Sequence, residues 1–153
     1  MRRALVLMLF LSLLQGALAY AALGGSPSNF GDTPVRQAAR SLAAASGDSS
    51  AVYTVSQSTL DSGTVVREYS NTLGIVFAVS WSGPALPDLR TLLGDKFAVM
   101  TSSAGKRPKA GHSQLSVNQP DVVIVSSGHM RAYAGHAWIP GALPAGFDTS
   151  VIE

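Results

Sequence analysis

From Ala51 the chain alternates apolar and polar residues with a period of two. AVYTVSQSTL reads as a strand, DSG (Asp61 to Gly63) as a hairpin turn and TVVREYS as the returning strand. NTLG (Asn71 to Gly74) turns the chain again, and IVFAVSW (Ile75 to Trp81) runs out. Strict alternation places Ile75, Phe77, Val79 and Trp81 on one face. Val76 and Ala78 keep the other face apolar, as in a central strand covered on both sides. This is a three-stranded meander.

On either side the period lengthens. Thr33 as N-cap, Pro34 at the first helical position and Gly47 as the stop bracket VRQAARSLAAAS. Val35, Ala38, Ala39, Leu42 and Ala43 make a small-sided stripe suited to close packing on a sheet. A second helix is expected from Pro87 or Asp88, with Leu89, Leu92, Leu93, Phe97 and Met100 as its core stripe. Gly94 lies inside it, costs about 1 kcal/mol relative to alanine and offers a point of breakage.

TSSAGKRPKAGHSQ (Thr101 to Gln114) is a polar connection. LSVNQPDVVIVSS and HMRAYAGHAW then supply two or three more strands, with a turn at Ser127-Gly128. The order helix, meander, helix, strands predicts a two-layer α+β fold: an antiparallel sheet of about five strands with two helices packed on it. The single domain is expected over residues 34–147, after an irregular lead-in at 20–33 and before a tail at 148–153.

One phrase occurs twice. WSGPALP begins at Trp81 and WIPGALP at Trp138, 57 positions on. At the same offset Val65, Val66, Ser70, Ala85, Leu86 and Pro87 also find identical counterparts. The echo can arise from a duplicated hairpin unit or from shared chemistry: an aromatic residue at a strand end, then Pro/Gly punctuation. Common residue types dominate the matches, which favours the second origin. Either way Trp81, Pro84, Pro87, Trp138, Pro140 and Pro144 are expected to build turns.

The first residues change the compartment. Met1-Arg2-Arg3 is a basic start, ALVLMLFLSLL an eleven-residue apolar run, and Ala17-Leu18-Ala19 or Ala19-Tyr20-Ala21 an A-x-A site. The expected signal peptide is 1–19, with 21 as the alternative end. A membrane span takes about 20 apolar residues, so the run suits cleavage better than anchoring. Of 11 basic residues Arg2 and Arg3 leave with the signal, so nine basic residues balance nine acidic ones. A neutral chain without a basic stripe argues against a nucleic-acid partner. Cysteine is absent, which removes thiolate zinc sites and thiol catalysis and leaves an exported domain to hold together by packing.

Candidate chemistry is sparse. Of His112, His129 and His136, the last two lie seven apart on what reads as one strand, facing opposite sides; one metal could join them only across a bulge at Gly135. No histidine has a neighbour at a metal-ligand spacing, so neither a metal nor another cofactor is expected. GKRPKAGH (Gly105 to His112) reads as a soluble linker with three positive charges. No G-x-S-x-G elbow or phosphate loop is present. Glu68 alternates with Arg67 on a strand, and the only other glutamate is Glu153, so a paired-carboxylate glycosidase site is not expected. GHMRAYAG is the richest polar-aromatic stretch. His129, Arg131 and Tyr133 at i, i+2 and i+4 would form a ladder able to bind a carboxylate or glycan, Arg131 being the bidentate donor.

ALGG, LDSGTVVREYSNTLGIVFAVSWSGPALPDLRTLLG and SSGHMRAYAGHAWIPGALPAGF together resemble a bacterial exported family, domain of unknown function 2844. The likeness runs from about Ala22 to Phe147 and is weakest at TSSAGKRPKAGH. It implies a proteobacterial, envelope-side protein and brings no activity or catalytic residue with it. The function expected is a non-enzymatic binding module, its partner an envelope protein or polymer, met through an exposed edge strand around Arg131 or the Trp-flanked turns. The alternatives are an envelope hydrolase using His129 or His136 with Asp121 or Asp88, and a structural subunit of a secreted assembly.

Overall fold

The computed structural model describes residues 23–28, 53–105 and 114–152. The helix expected over residues 34–46 and the linker with its charges and His112 lie outside them. Six strands form one antiparallel sheet: β1 (Thr54–Thr59), β2 (Val65–Ser70), β3 (Val76–Gly83), β4 (Gln114–Gln119), β5 (Val122–His129) and β6 (Ala132–Trp138). Their spatial order is β1-β2-β3-β6-β5-β4. Two three-strand meanders therefore meet through their last strands, and β3 and β6 form the centre. The second meander holds three strands, so the sheet is one strand wider than expected.

The helical segment begins as its residues dictate. Asp88 accepts the Arg90 and Thr91 amides at 3.0 and 3.3 Å and the Thr91 hydroxyl at 2.7 Å, capping α1 (Leu89–Leu93). Gly94, at φ 53°, ends α1, and one 3-10 turn (Gly94–Lys96) leads into α2 (Phe97–Gly105). The expected helix thus breaks at its glycine. Leu89, Leu92 and Leu93 bury their side chains against one face of the sheet, each worth about 2 kcal/mol.

That helix face also carries Val66, Val76, Val79, Trp81, Val117, Val122, Ile124 and Ala137. The opposite, tail face gathers Tyr69, Phe77 and Ala78 beneath Leu143, Phe147 and Ile152 from the chain's end. Phe77 and Phe147 meet edge to face at 4.9 Å, and Tyr53 meets Phe147 at 5.0 Å. The even alternation read along Ile75 to Trp81 fails at one residue. Tyr69 pairs with Ala78 but Ser70 with Val76, so Phe77 is the extra residue of a β-bulge. The bulge sends Phe77 and Ala78 together to the tail face, while Val79 and Trp81 face the helices.

A short strap, residues 23–28, crosses the helix face. The Leu23 amide donates to the Leu92 carbonyl (3.1 Å), the Gly24 amide to Val76 (2.8 Å), and the Val76 amide returns a bond to Gly25 (2.9 Å).

The Trp-Ala-Leu-Pro echo takes two different forms. Trp81 is 1% exposed on the helix face; Trp138 packs on the tail face, opposite Ala78. The pairing register sends matched residues to opposite sides: Val66 and Trp81 face the helices, whereas Val123 and Trp138 face the tail. A two-fold relation between the meanders would keep each residue on its own face, so the echo is not a structural repeat. It is turn chemistry used twice. After Trp81, the buried Thr64 hydroxyl donates to the Ala85 carbonyl at 2.6 Å and accepts from the Ala85 amide, Pro84 covers Gly63 and Pro87 is buried. After Trp138, Pro140 opens a 3-10 turn, Leu143 enters the tail-face core, and the Pro144 carbonyl accepts the Phe147 amide at 3.0 Å.

Candidate functional site

The polar stretch expected to form a ladder is a hairpin tip instead. β5 does not turn at Ser127-Gly128; it continues to His129, which pairs with Ala132, and the chain reverses at Met130-Arg131. Gly128 is a packing glycine rather than a turn glycine. A Cβ there would sit 2.7 Å from the Tyr133 ring, so the missing side chain is the space that Tyr133 fills across the strand pair. The same device recurs one strand over: Trp81 lies against Gly135, where a Cβ would come within van der Waals overlap of the indole. Two aromatic rings, each seated on the glycine opposite, stiffen the base of the hairpin.

This geometry separates the three ladder residues. Tyr133 lies with Gly128 and Gly135 on the helix face. His129 follows Val123 and Val125 on the tail face, and Arg131 is in the turn itself. Nor is Arg131 near an edge strand, because β6 pairs with both β3 and β5; the edges are β1 and β4.

The tip breaks the usual rules for its length. Two-residue hairpin loops favour Asn-Gly or Asp-Gly because the left-handed backbone suits them. Here Arg131 holds φ +62°, the one non-glycine residue with positive φ among those described, at a cost of about 1 kcal/mol. Beside it Met130 is 96% exposed, and His129 and Ala132 are exposed too. A cation, an imidazole and an unshielded thioether thus project together from a rigid base.

The two histidines share the tail face, on neighbouring strands rather than on opposite sides of one. His136 stands four residues along β6 from the partner of His129, roughly 13 Å away. Burial lowers the His136 pKa below the usual histidine value, and its ring tilts beside Trp138 at 5.6 Å. Among the described residues no three histidine, aspartate or glutamate side chains gather to hold a metal. Asp88 caps α1, and Asp121 pairs with Lys96 at 2.8 Å in the β4–β5 turn, at the far end of β5 from His129. The structure brings neither aspartate to a histidine.

Glu68, which alternates with Arg67 along β2, is 2% exposed. One oxygen accepts the Ser28 amide at 2.9 Å and the Ser28 hydroxyl at 2.7 Å. Burial raises its pKa above the ordinary glutamate value; the two Ser28 bonds pull the other way and only partly offset it. The signal was in the pattern: Val66 and Glu68 share a face, so a core position under Val66 implies one under Glu68.

Neither a curated protein nor a solved structure matches the chain. A family model described as protein of unknown function (DUF2844) matches residues 19–152. The chain, with its six-stranded sheet and glycine-seated aromatic pair, belongs to the DUF2844 family.

Proposed function

We propose that this chain is an exported envelope domain that acts as a non-enzymatic binding module, with the tip His129–Ala132 as its contact surface. One observation carries the reading: a tight turn in which Arg131 bears a left-handed backbone beside a Met130 that is 96% exposed, with no contact among the described residues to repay the strain. Strained backbone and exposed apolar surface are kept where a partner uses them. Arg131 offers a bidentate donor for a carboxylate or an acidic sugar, Met130 an adaptable apolar contact, and Tyr133 is the buttress beneath them. Export rests on the basic-apolar-small pattern of residues 1–21; among the described residues no helix is long and apolar enough to cross a membrane.

Arg131→Gly tests the reading. Relief of the left-handed strain is expected to raise Tm while partner recovery from the native envelope is lost. Undiminished recovery would refute the tip as the contact.

A second reading has its own support. Both sheet edges, TVSQST in β1 and QLSVNQ in β4, lack charge and proline, the devices that usually block strand addition. A structural subunit would assemble through them. Sedimentation velocity over a wide concentration range tests it, and a monomer throughout would exclude self-assembly.

A further inference from the structure

Where α1 gives way to α2 the chain leaves a cavity of about 390 Å³, lined by Arg90, Gly94, Asp95, Phe97, Ala98 and Thr101. Its shape follows from the break at Gly94. In an unbroken helix two residues seven apart stand about 10.5 Å apart along the axis. Here the Arg90 guanidinium lies over the Phe97 ring, 4.8 Å from its centre, which fixes the plane of the cation and leaves its N–H groups open. The Arg90 side chain makes no ion pair or hydrogen bond with any described residue, and neither does the Asp95 carboxylate. The Asp88 carboxylate, which feels the Arg90 charge, is committed to the α1 cap. Two opposite charges thus share one cavity without closing on each other, while the adjacent Lys96 does close on Asp121 at 2.8 Å.

We propose that this cavity is a second binding site, for a small carboxylate that carries hydrogen-bond donors at its other end. The stacked Arg90 presents paired N–H groups to the carboxylate. The other polar side chains are acceptors: the Asp95 carboxylate, and the Thr101 oxygen, whose proton already goes to the Ala98 carbonyl at 3.0 Å. An anion without donors would meet Asp95 unfavourably, and a neutral polyol would leave Arg90 unanswered. A ligand with both answers all three groups: a sugar acid through its hydroxyls, or an amino acid through its ammonium. The cavity falls in the size range of small-molecule sites. It lies beside Lys96, whose partner Asp121 is at the far end of β5 from the hairpin tip, so it is independent of the contact proposed there.

Heteronuclear NMR titration of the full mature chain with D-glucuronate and with L-glutamine tests this. D-glucose, which lacks the carboxylate, and butyrate, which lacks the donors, serve as controls. Saturable shifts of the Arg90 side-chain N–H and of the Gly94, Asp95 and Ala98 amides are expected with at least one of the two acids, at a dissociation constant of about 1 mM or tighter. Glucuronate alone would assign a sugar acid and glutamine alone an amino acid; both would assign their shared chemistry. Arg90 is exposed, so Arg90→Gln should fold normally and weaken binding by about tenfold. No saturable shift at the cavity with either acid would overturn the site. So would a control ligand that binds as tightly as the acids, or an Arg90→Gln protein that binds as well as the wild type.

Discussion

Two turns each join the last two strands of a meander, and they were built by opposite logic. At Asn71–Gly74 every residue does what turn chemistry asks. The Asn71 side chain accepts the Leu73 and Ile75 amides at 3.0 Å each, the Gly74 amide closes on the Asn71 carbonyl, and Gly74 takes φ +76° without steric cost. At Met130-Arg131 a tighter reversal is made without asparagine or glycine, and an arginine bears the left-handed backbone. Both turns expose a large apolar side chain, Leu73 at 80% and Met130 at 96%. Exposure alone therefore does not mark a site. The difference lies in strain: the first turn spends nothing to hold its shape, and the second gives up about 1 kcal/mol to present Arg131.

The comparison can be broken first at the base of the strained hairpin. Gly135→Ala should cost about 3 kcal/mol, because the new methyl overlaps the Trp81 indole in a packed layer. Gly128→Ala should cost about 2 kcal/mol, since the Tyr133 ring is nearer the surface and has room to swing. Chemical denaturation would measure both, and values near zero would mean that the aromatic-glycine pairs do not hold the hairpin.

The turns themselves should then respond with opposite signs. Gly74→Ala forces a side chain into positive φ and should destabilise by about 1 kcal/mol. Arg131→Gly removes a side chain from it and should stabilise by about 0.5 kcal/mol, the relief being partly offset by glycine's unfolded-state entropy. Two melting curves decide this, and equal signs would erase the distinction. Smallest of all, Leu73→Ser and Met130→Ser should each move stability by less than about 0.5 kcal/mol, since neither side chain packs.

The sequence was most readable where one signal governs each position. The β1–β3 meander follows from alternation and its turn residues, and the helix ends at the glycine flagged as its weak point. Reading failed where one residue type serves two purposes. Gly128 looked like a turn because glycine usually marks one, yet here it makes room for a ring, so the tip fell three residues late and the ladder dissolved. Phe77 kept the alternation on paper, but one extra residue opposite Tyr69 and Ser70 turned it over. The central position of β6 depends on pairing with β3 across fifty or more residues, which no local pattern encodes. Of the site itself, Arg131 and its neighbours could be singled out by composition, whereas the strain in their backbone and the burial of Glu68 needed the fold.

The account's central claim is that the strained tip, and not exposed apolar surface in general, meets the partner. Its most direct test places a photo-crosslinking residue at position 130 or at position 73 in the full chain, expressed in its native cell envelope. The account predicts one discrete adduct from position 130 and none from position 73. Equal adducts from both positions, or an adduct from position 73 alone, would contradict it.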